Sequence, residues 1–505
     1  MSRKRKVLQG SASNALRLFL SLLVSLVLPP FLVHRMPPAE YSAWVLILQL
    51  GNYFFLLDFG LQAAVGKFVA EYDAAGDRAA SHGVVSTSFT ILAGAAGIAC
   101  VALGIMVWSV PKLFHQMPAA LLPEVRIALL AVGLSSVLAL PFIIFYSTFV
   151  GLQQYVFPTV TATISRVGSA CALVILLLLH ASLVELALVI AASNLLLAAA
   201  QFAGWRKLLQ SRVGFSFLSF DRRYAIQLAK YGGVLSVWTL ATFFVSGLDL
   251  VIVGHYRYRE TGFYAIANGP AAFLITLLGS VFAPLVPAVS SMQSDSTPAQ
   301  IGDLCIRTTR YCVLLLCLIN LPLTFGAYPL LSLWVGKKYA AQSALYLDVL
   351  VLGNAVRQLA LPYILIVVAT GKQHLATVAA IVEACVNIVL SIWLVQKIGA
   401  IGVALGTLIG AFVGIGLHWL VSIPRTQATI SISRLRLLSQ GVLRPLLVVT
   451  PFLAAFPFWK RFKMVPAPPA ILATCVILTI AIAWWVSLTA EDRRDFGAVL
   501  HRAIK

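Results

Sequence analysis

The chain is poor in charge. Only 11% of its 505 residues are Asp, Glu, Lys or Arg, against 60% hydrophobic, and its mean hydropathy is +0.93. That balance excludes an ordinary soluble domain. Of the charged residues the acidic ones are the scarcer, 17 against 37 basic, which leaves a net charge of +20. Long polar connections are missing too, so there is no room for a soluble catalytic or nucleotide-binding domain, and no GxxxxGK[ST] phosphate loop occurs. The seven cysteines, Cys100, Cys171, Cys305, Cys312, Cys317, Cys385 and Cys475, form no CxxC pair and fall in or beside apolar runs. A disulfide framework or zinc ribbon is therefore not expected, and neither a metal, a cofactor nor a catalytic residue is assigned.

What is present is a series of apolar runs, each long enough to cross a hydrocarbon layer about 30 Å thick at 1.5 Å per helical residue. Fourteen are read, at 12–34, 41–65, 84–109, 125–149, 155–180, 182–205, 231–254, 262–288, 308–333, 345–370, 375–396, 399–423, 442–459 and 469–489. The fold class is an all-α polytopic membrane protein of about 14 transmembrane helices. The opening "MSRKRK" imitates a signal peptide, but the apolar part that follows lacks a small-x-small cleavage site, so it is expected to remain as the first span. With the N-terminus in the cytoplasm, 23 of the 37 basic residues fall on that side and 10 on the other. Both termini are thus expected to be cytoplasmic. Cationic loops beside anionic membrane lipids account for the net charge without a nucleic acid partner.

The basic connection from Gly204 to Gly233 separates the first twelve spans six and six. A constant shift of 220 places Glu40 on Glu260, Ser42 on Gly262, Trp44 on Tyr264, Gly151 on Gly371 and Gln153 on Gln373, with spans and loops in phase. Two parallel repeats follow, an architecture suited to alternating access. The expected divisions are an N-terminal six-helix lobe (1–205), a basic cytoplasmic linker (206–230), a C-terminal six-helix lobe (231–425), and two extra helices with a cytoplasmic tail (426–505).

Several charges interrupt the apolar runs. Near the bilayer centre each costs about 2.5–3.5 kcal/mol, so such groups turn inward and are functional candidates or halves of buried pairs. Arg166 and Arg357 are nearest mid-span, with Arg17 closer to one end. Asp58, Asp249 and Glu383 are available either as counter-ions to these arginines or for ion coupling; an Asp58–Arg17 pair is one such expectation. None of these charges is repeated at the 220-residue shift. Guanidinium forks suit phosphate oxygens, which they bind bidentately while remaining protonated. Among polar and aromatic residues of the inner spans, Asn52, Tyr53, Trp238, Phe244 and Asn268 are candidate contacts for sugar rings.

Four stretches carry a family resemblance. "LLDFGLQAAVGKFVAEYDAAGD" from Leu56, "FVGLQQYVFPTVTATISRV" from Phe149, "LDLVIVGHYRYRETGFYAIA" from Leu248 and "ATGKQHLATVAAIVEACVNIVLSIWLVQKIGAIGVALGT" from Ala369 resemble, in order, parts of the Wzx-like bacterial polysaccharide (O-antigen) flippases. These are a branch of the multidrug/oligosaccharidyl-lipid/polysaccharide exporter superfamily. The resemblance implies a V-shaped pair of six-helix lobes with two extra C-terminal helices, in the bacterial inner membrane. It also implies transfer of an undecaprenyl-pyrophosphate-linked oligosaccharide between leaflets without a covalent intermediate. On that reading Arg17, Arg166 and Arg357 meet the pyrophosphate, the chain works as a monomer, and its partners are glycosyltransferases and a polysaccharide polymerase. The alternatives are an ion-coupled drug exporter of the same fold, a membrane glycan polymerase or ligase, and a non-transporting scaffold.

Overall fold

The computed structural model describes residues 3–217, 219–293, 295–461 and 469–494, and among these the chain is helical with no strand. The apolar runs become α1 (Arg3–Arg35), α2 (Pro38–Ala75), α3 (Arg78–Leu113), α4 (Ala119–Gly151), α5 (Val156–Leu178), α6 (Leu183–Leu208) and α7 (Thr239–Tyr256). They continue as α8 (Tyr258–Met292), α9 (Pro298–Phe325), α10 (Lys337–Ala369), α11 (His374–Ile398), α12 (Ile401–Thr426), α13 (Arg434–Ala455) and α14 (Ala473–Ser487). Twelve are long and apolar enough to cross a membrane, and the shorter apolar parts of α1 (Phe19–Arg35) and α14 complete the expected fourteen.

Local chemistry sets the ends. Asp77 caps α3 by accepting from the Ala80 amide at 2.9 Å. Ser182 with Glu185 and Thr297 with Gln300 form capping boxes on α6 and α9, each satisfying amides that a helix start leaves unpaired. Glu185, an acid at the edge of an apolar run, is thereby accounted for. The duplication is visible in the helices: α3 starts at Arg78 and α9 at Pro298, 220 residues apart. Pro141 interrupts α4 and Pro362 interrupts α10 within one residue of the corresponding place, because proline cannot donate to the preceding turn.

The chain divides into two compact units, Met1–Phe243 with Leu250–Gly262, and Phe244–Asp249 with Phe263–Lys505. In the first, α2, α3, α4 and α6 bury Val65, Phe68, Val84, Phe89, Phe145 and Trp205 together. The connection after α6 is docked rather than free: Phe215 packs between Phe89 and Trp205, Arg212 forms a two-pronged bridge to Asp73 at 2.6 Å, and the Ser216 amide donates to Ser86 Oγ at 3.0 Å.

In the second unit, the residues after α14 are tied to α9. Asp492, 1% exposed, accepts from Arg307 Nε at 2.8 Å, Tyr311 Oη at 2.5 Å, Thr489 N at 2.9 Å and Thr489 Oγ1 at 2.7 Å, and also from Arg310 Nη1. Burial alone pushes the Asp492 carboxyl up. The donors from Tyr311 and Thr489 and the Arg310 charge overcome that and hold it well below the usual carboxylate range.

Candidate functional site

The second span is not one helix. Its regular part ends at Asn52, a tight 3-10 segment covers Tyr53–Asp58, and Phe59 and Gly60 adopt left-handed φ values of 48° and 68° before helix resumes at Leu61. Gly60 carries this conformation freely, whereas Phe59 is strained by its Cβ. The Asp58 carboxylate sits at the break because it serves it: Oδ1 accepts from the Gly60 amide at 2.9 Å. Among the described residues no ion pair joins Asp58 to Arg17. The expected pairing is replaced by repair of a broken backbone, which a continuous apolar pattern does not announce.

The break opens a cavity of about 530 Å³ lined by Asp58, Gln62, Lys67, Tyr146 and Thr239 among others. Its wall depends on a close crossing, since a Cβ at Gly151 would lie 2.5 Å from the Gly66 carbonyl oxygen. Of the sugar-contact candidates in this unit, Tyr53 is half-buried with its ring edge-on to Phe243 at 4.9 Å, and Asn52 is exposed. Arg17 on α1 and Arg166 on α5 are exposed on helices packed along each other.

The second unit holds a buried polar network. Asp249, 4% exposed, accepts at Oδ2 from Tyr264 Oη and Thr407 Oγ1, each at 3.1 Å. Asn387 Oδ1 lies within reach of Ser391 Oγ at 3.0 Å and Thr407 Oγ1 at 3.3 Å, and both hydroxyls also approach the Val403 carbonyl. Each hydroxyl has one proton. Thr407 Oγ1 thus has one proton to give and three acceptors within reach, Asp249, Asn387 and the Val403 carbonyl. Among the described residues no cluster of three or more His, Cys, Asp or Glu side chains is present, so a cation here would rely on hydroxyl, amide and carbonyl oxygens beside one carboxylate. Sequence reading singled out Asp249 and missed Tyr264, Asn387, Ser391 and Thr407. The signal available was the four-residue spacing of Asn387 and Ser391, which puts both on one face of an apolar helix.

Arg357 and Glu383 meet. Nε donates to Glu383 Oε1 at 2.6 Å and Nη1 to Asn354 Oδ1 at 2.9 Å, while Nη2 is buried with no hydrogen-bond partner. The pair needs a slot: a Cβ at Gly414 would come within 2.3 Å of Glu383 Oε2. Phe244 is exposed and Asn268 half-buried in this unit. Trp238 precedes α7 on the helix from Arg222, and its side chain lies outside the described residues.

These features define a polytopic helical membrane protein with ionised groups held in its interior. Its fold is that of the multidrug/oligosaccharidyl-lipid/polysaccharide exporters. It is similar to the lipid II flippase MurJ in an inward closed conformation (TM-score 0.70, 14% identity, 98% of this chain and 99% of that one). It is also similar to an inward-facing MATE-family multidrug resistance transporter (0.63, 13%, 82% and 94%) and to the Vibrio cholerae MATE transporter VcmN (0.58, 13%, 84% and 97%). The chain belongs to the polysaccharide biosynthesis protein family, whose model matches residues 41–344. The family resemblance is borne out at that level, and the first three of the four stretches fall within the matched residues. The comparison with curated proteins gives no match.

Proposed function

We propose that the protein is a flippase that moves an undecaprenyl-pyrophosphate-linked oligosaccharide from the inner to the outer leaflet of the bacterial cytoplasmic membrane, with both termini cytoplasmic, for surface polysaccharide assembly. Arg357 is the observation that carries this reading. Glu383 and Asn354 fix the guanidinium, and Nη2 remains without an acceptor. An unsatisfied buried donor is costly, and a phosphate oxygen is the acceptor that a flippase cargo would bring to it. Arg166 and Arg17 are the further cationic contacts, Asn52, Tyr53, Trp238, Phe244 and Asn268 the sugar contacts. Asp249 is the coupling residue for a cation or proton, and Glu383 holds Arg357 in place. Glycosyltransferases supply the cargo and a polymerase consumes it. The family membership supports a glycan-related cargo over an organic cation.

The test is deletion of the gene in its host and analysis of the lipid-linked glycans, followed by complementation with the wild type, Arg357→Ala and Arg166→Ala, each checked for membrane insertion. A completed lipid-linked repeat accumulating on the cytoplasmic side, relieved by the wild type and not by Arg357→Ala, supports the reading. An unchanged lipid pool refutes it and directs attention to drug export, which binding of a lipophilic cationic dye would reveal.

A further inference from the structure

Away from these sites, two imidazoles meet at the end of α3 opposite Asp77. The loop after α3 and the end of α7 are joined there within the first unit. Phe114 is buried, and a Cβ at Gly254 would touch its ring at 3.0 Å. Gln116 Nε2 donates to the Tyr256 carbonyl at 2.9 Å. His255 Nδ1 lies 2.5 Å from the Leu113 carbonyl oxygen. A carbonyl only accepts, so Nδ1 carries the proton and the lone pair of the neutral ring is on Nε2. An imidazole oriented in this way, with its other nitrogen donating to a backbone carbonyl, is the arrangement that metal-ligating histidines adopt.

A second imidazole lies beside it. The centroids of His115 and His255 are 5.3 Å apart, with planes inclined at 68°. Two imidazoles on one tetrahedral ion, with metal–nitrogen distances of about 2.0–2.1 Å, have ring centroids about 5 Å apart. His115 is exposed and His255 half-buried, so one ligand is fixed and the other accessible. Lys112 is turned away, with its Nζ 4.5 Å from the Trp108 ring centroid. Imidazole nitrogen suits zinc, copper and nickel and not the hard cations that an oxygen cluster takes.

We propose that His115 and His255 form a two-histidine site for a divalent transition-metal ion of the zinc class, with water filling its remaining positions. Such an ion staples the loop after α3 to the end of α7, segments 140 residues apart in the chain. With only two protein ligands the site exchanges its ion with the surroundings and does not lock it in. The proposal is independent of the cargo assigned above.

Zinc chloride is titrated calorimetrically into the full chain, purified in detergent with any polyhistidine tag removed, and into His115→Ala, His255→Gln and Gln116→Ala. His255→Gln keeps a donor for the Leu113 carbonyl, and each variant is checked for a wild-type elution profile. The expected result is one saturable site in the wild type and in Gln116→Ala, weakened at least about tenfold in both histidine variants. No saturable binding in the wild type, wild-type affinity in both histidine variants, or loss confined to one of them would each overturn the two-histidine site.

Discussion

Removing the Asp492 carboxylate is the most severe test of how the last helices are held. In Asp492→Ala, Arg310, only 5% exposed, loses its carboxylate partner while remaining buried. Arg307 Nε, Tyr311 Oη and both donors of Thr489 each lose a bond to the carboxylate, while Arg307 Nε keeps Tyr311 Oη at 2.8 Å. Hydrogen bonds to a charged group are worth about 1.5–3 kcal/mol each but do not add. Breaking one side of a buried pair costs about 3–5 kcal/mol, and we take that as the expected loss. The paired variant Arg310→Met with Asp492→Leu removes the buried Arg310 charge along with its partner and should recover part of the loss, because apolar replacement of a buried pair is often neutral, while Arg307, Tyr311 and Thr489 still lack the carboxylate. Cys305 and Cys312 on α9 are fully buried, so with Cys100, Cys171, Cys317, Cys385 and Cys475 replaced by serine, labelling by a thiol-reactive dye during heating reports the opening of this helix. The midpoint of Asp492→Ala should fall by at least about 5 °C. The pH dependence has a definite sign. A carboxyl held below its unfolded value contributes fully above that value, about 4, and the contribution fades as pH falls towards the lower folded value. Wild type and Asp492→Ala should therefore differ most at neutral pH and converge in strong acid. A single variant as stable as the wild type, or a paired variant no better than the single, would refute the assignment.

Gly151→Ala should destabilise the first unit by about 1–3 kcal/mol through overpacking, because its Cβ would lie 2.5 Å from the Gly66 carbonyl; thermal unfolding in detergent measures it. Gly414→Ala should displace Glu383 and reproduce the transport defect of Arg357→Ala while leaving both charges in the chain, as read by the lipid-linked glycan pool. Outward passage of about two negative charges gains roughly 4–5 kcal/mol at 100 mV, negative inside. Flipping in vesicles at fixed pH should slow when the potential is collapsed, and an undiminished rate would leave ion coupling at Asp249 as the drive.

The apolar periodicity was sufficient for the fourteen helices because a membrane span is a property of its own twenty residues. The 220-residue repeat was legible for a related reason: prolines and glycines punctuate both copies, as Pro141 and Pro362 show. Partnership was harder. Glu383 is legible in the sequence as a counter-ion to one of the three arginines, but not to which, since Arg357 lies 26 residues away on a different helix. Asp58 drew attention as a charge in an apolar run, yet its partner is the amide two residues on, and backbone groups leave no mark in composition. The Asp492 cluster was invisible: Arg307 and Arg310 read as cytoplasmic-side basic residues, and their acceptor lies more than 180 residues later.

The two copies of the repeat have divided their labour, and the division shows at equivalent positions. Val137, which corresponds to Arg357 at the 220-residue shift, is fully buried with Phe54 and Leu103 in an apolar cluster. Thr163, which corresponds to Glu383, bonds back to the Thr159 carbonyl of its own helix at 2.8 Å. The first unit thus closes with hydrocarbon where the second holds an ion pair. The converse holds for Asp58, which corresponds to Leu278, 2% exposed among Phe282, Cys312 and Leu316. Span α8 also breaks, but a few residues further on, beside Pro284, where no carboxylate is needed. On the flippase reading proposed above, the copy that holds Arg357 and Glu383 is the one that receives the anionic headgroup, and the copy closed by Val137, Phe54 and Leu103 is the apolar wall.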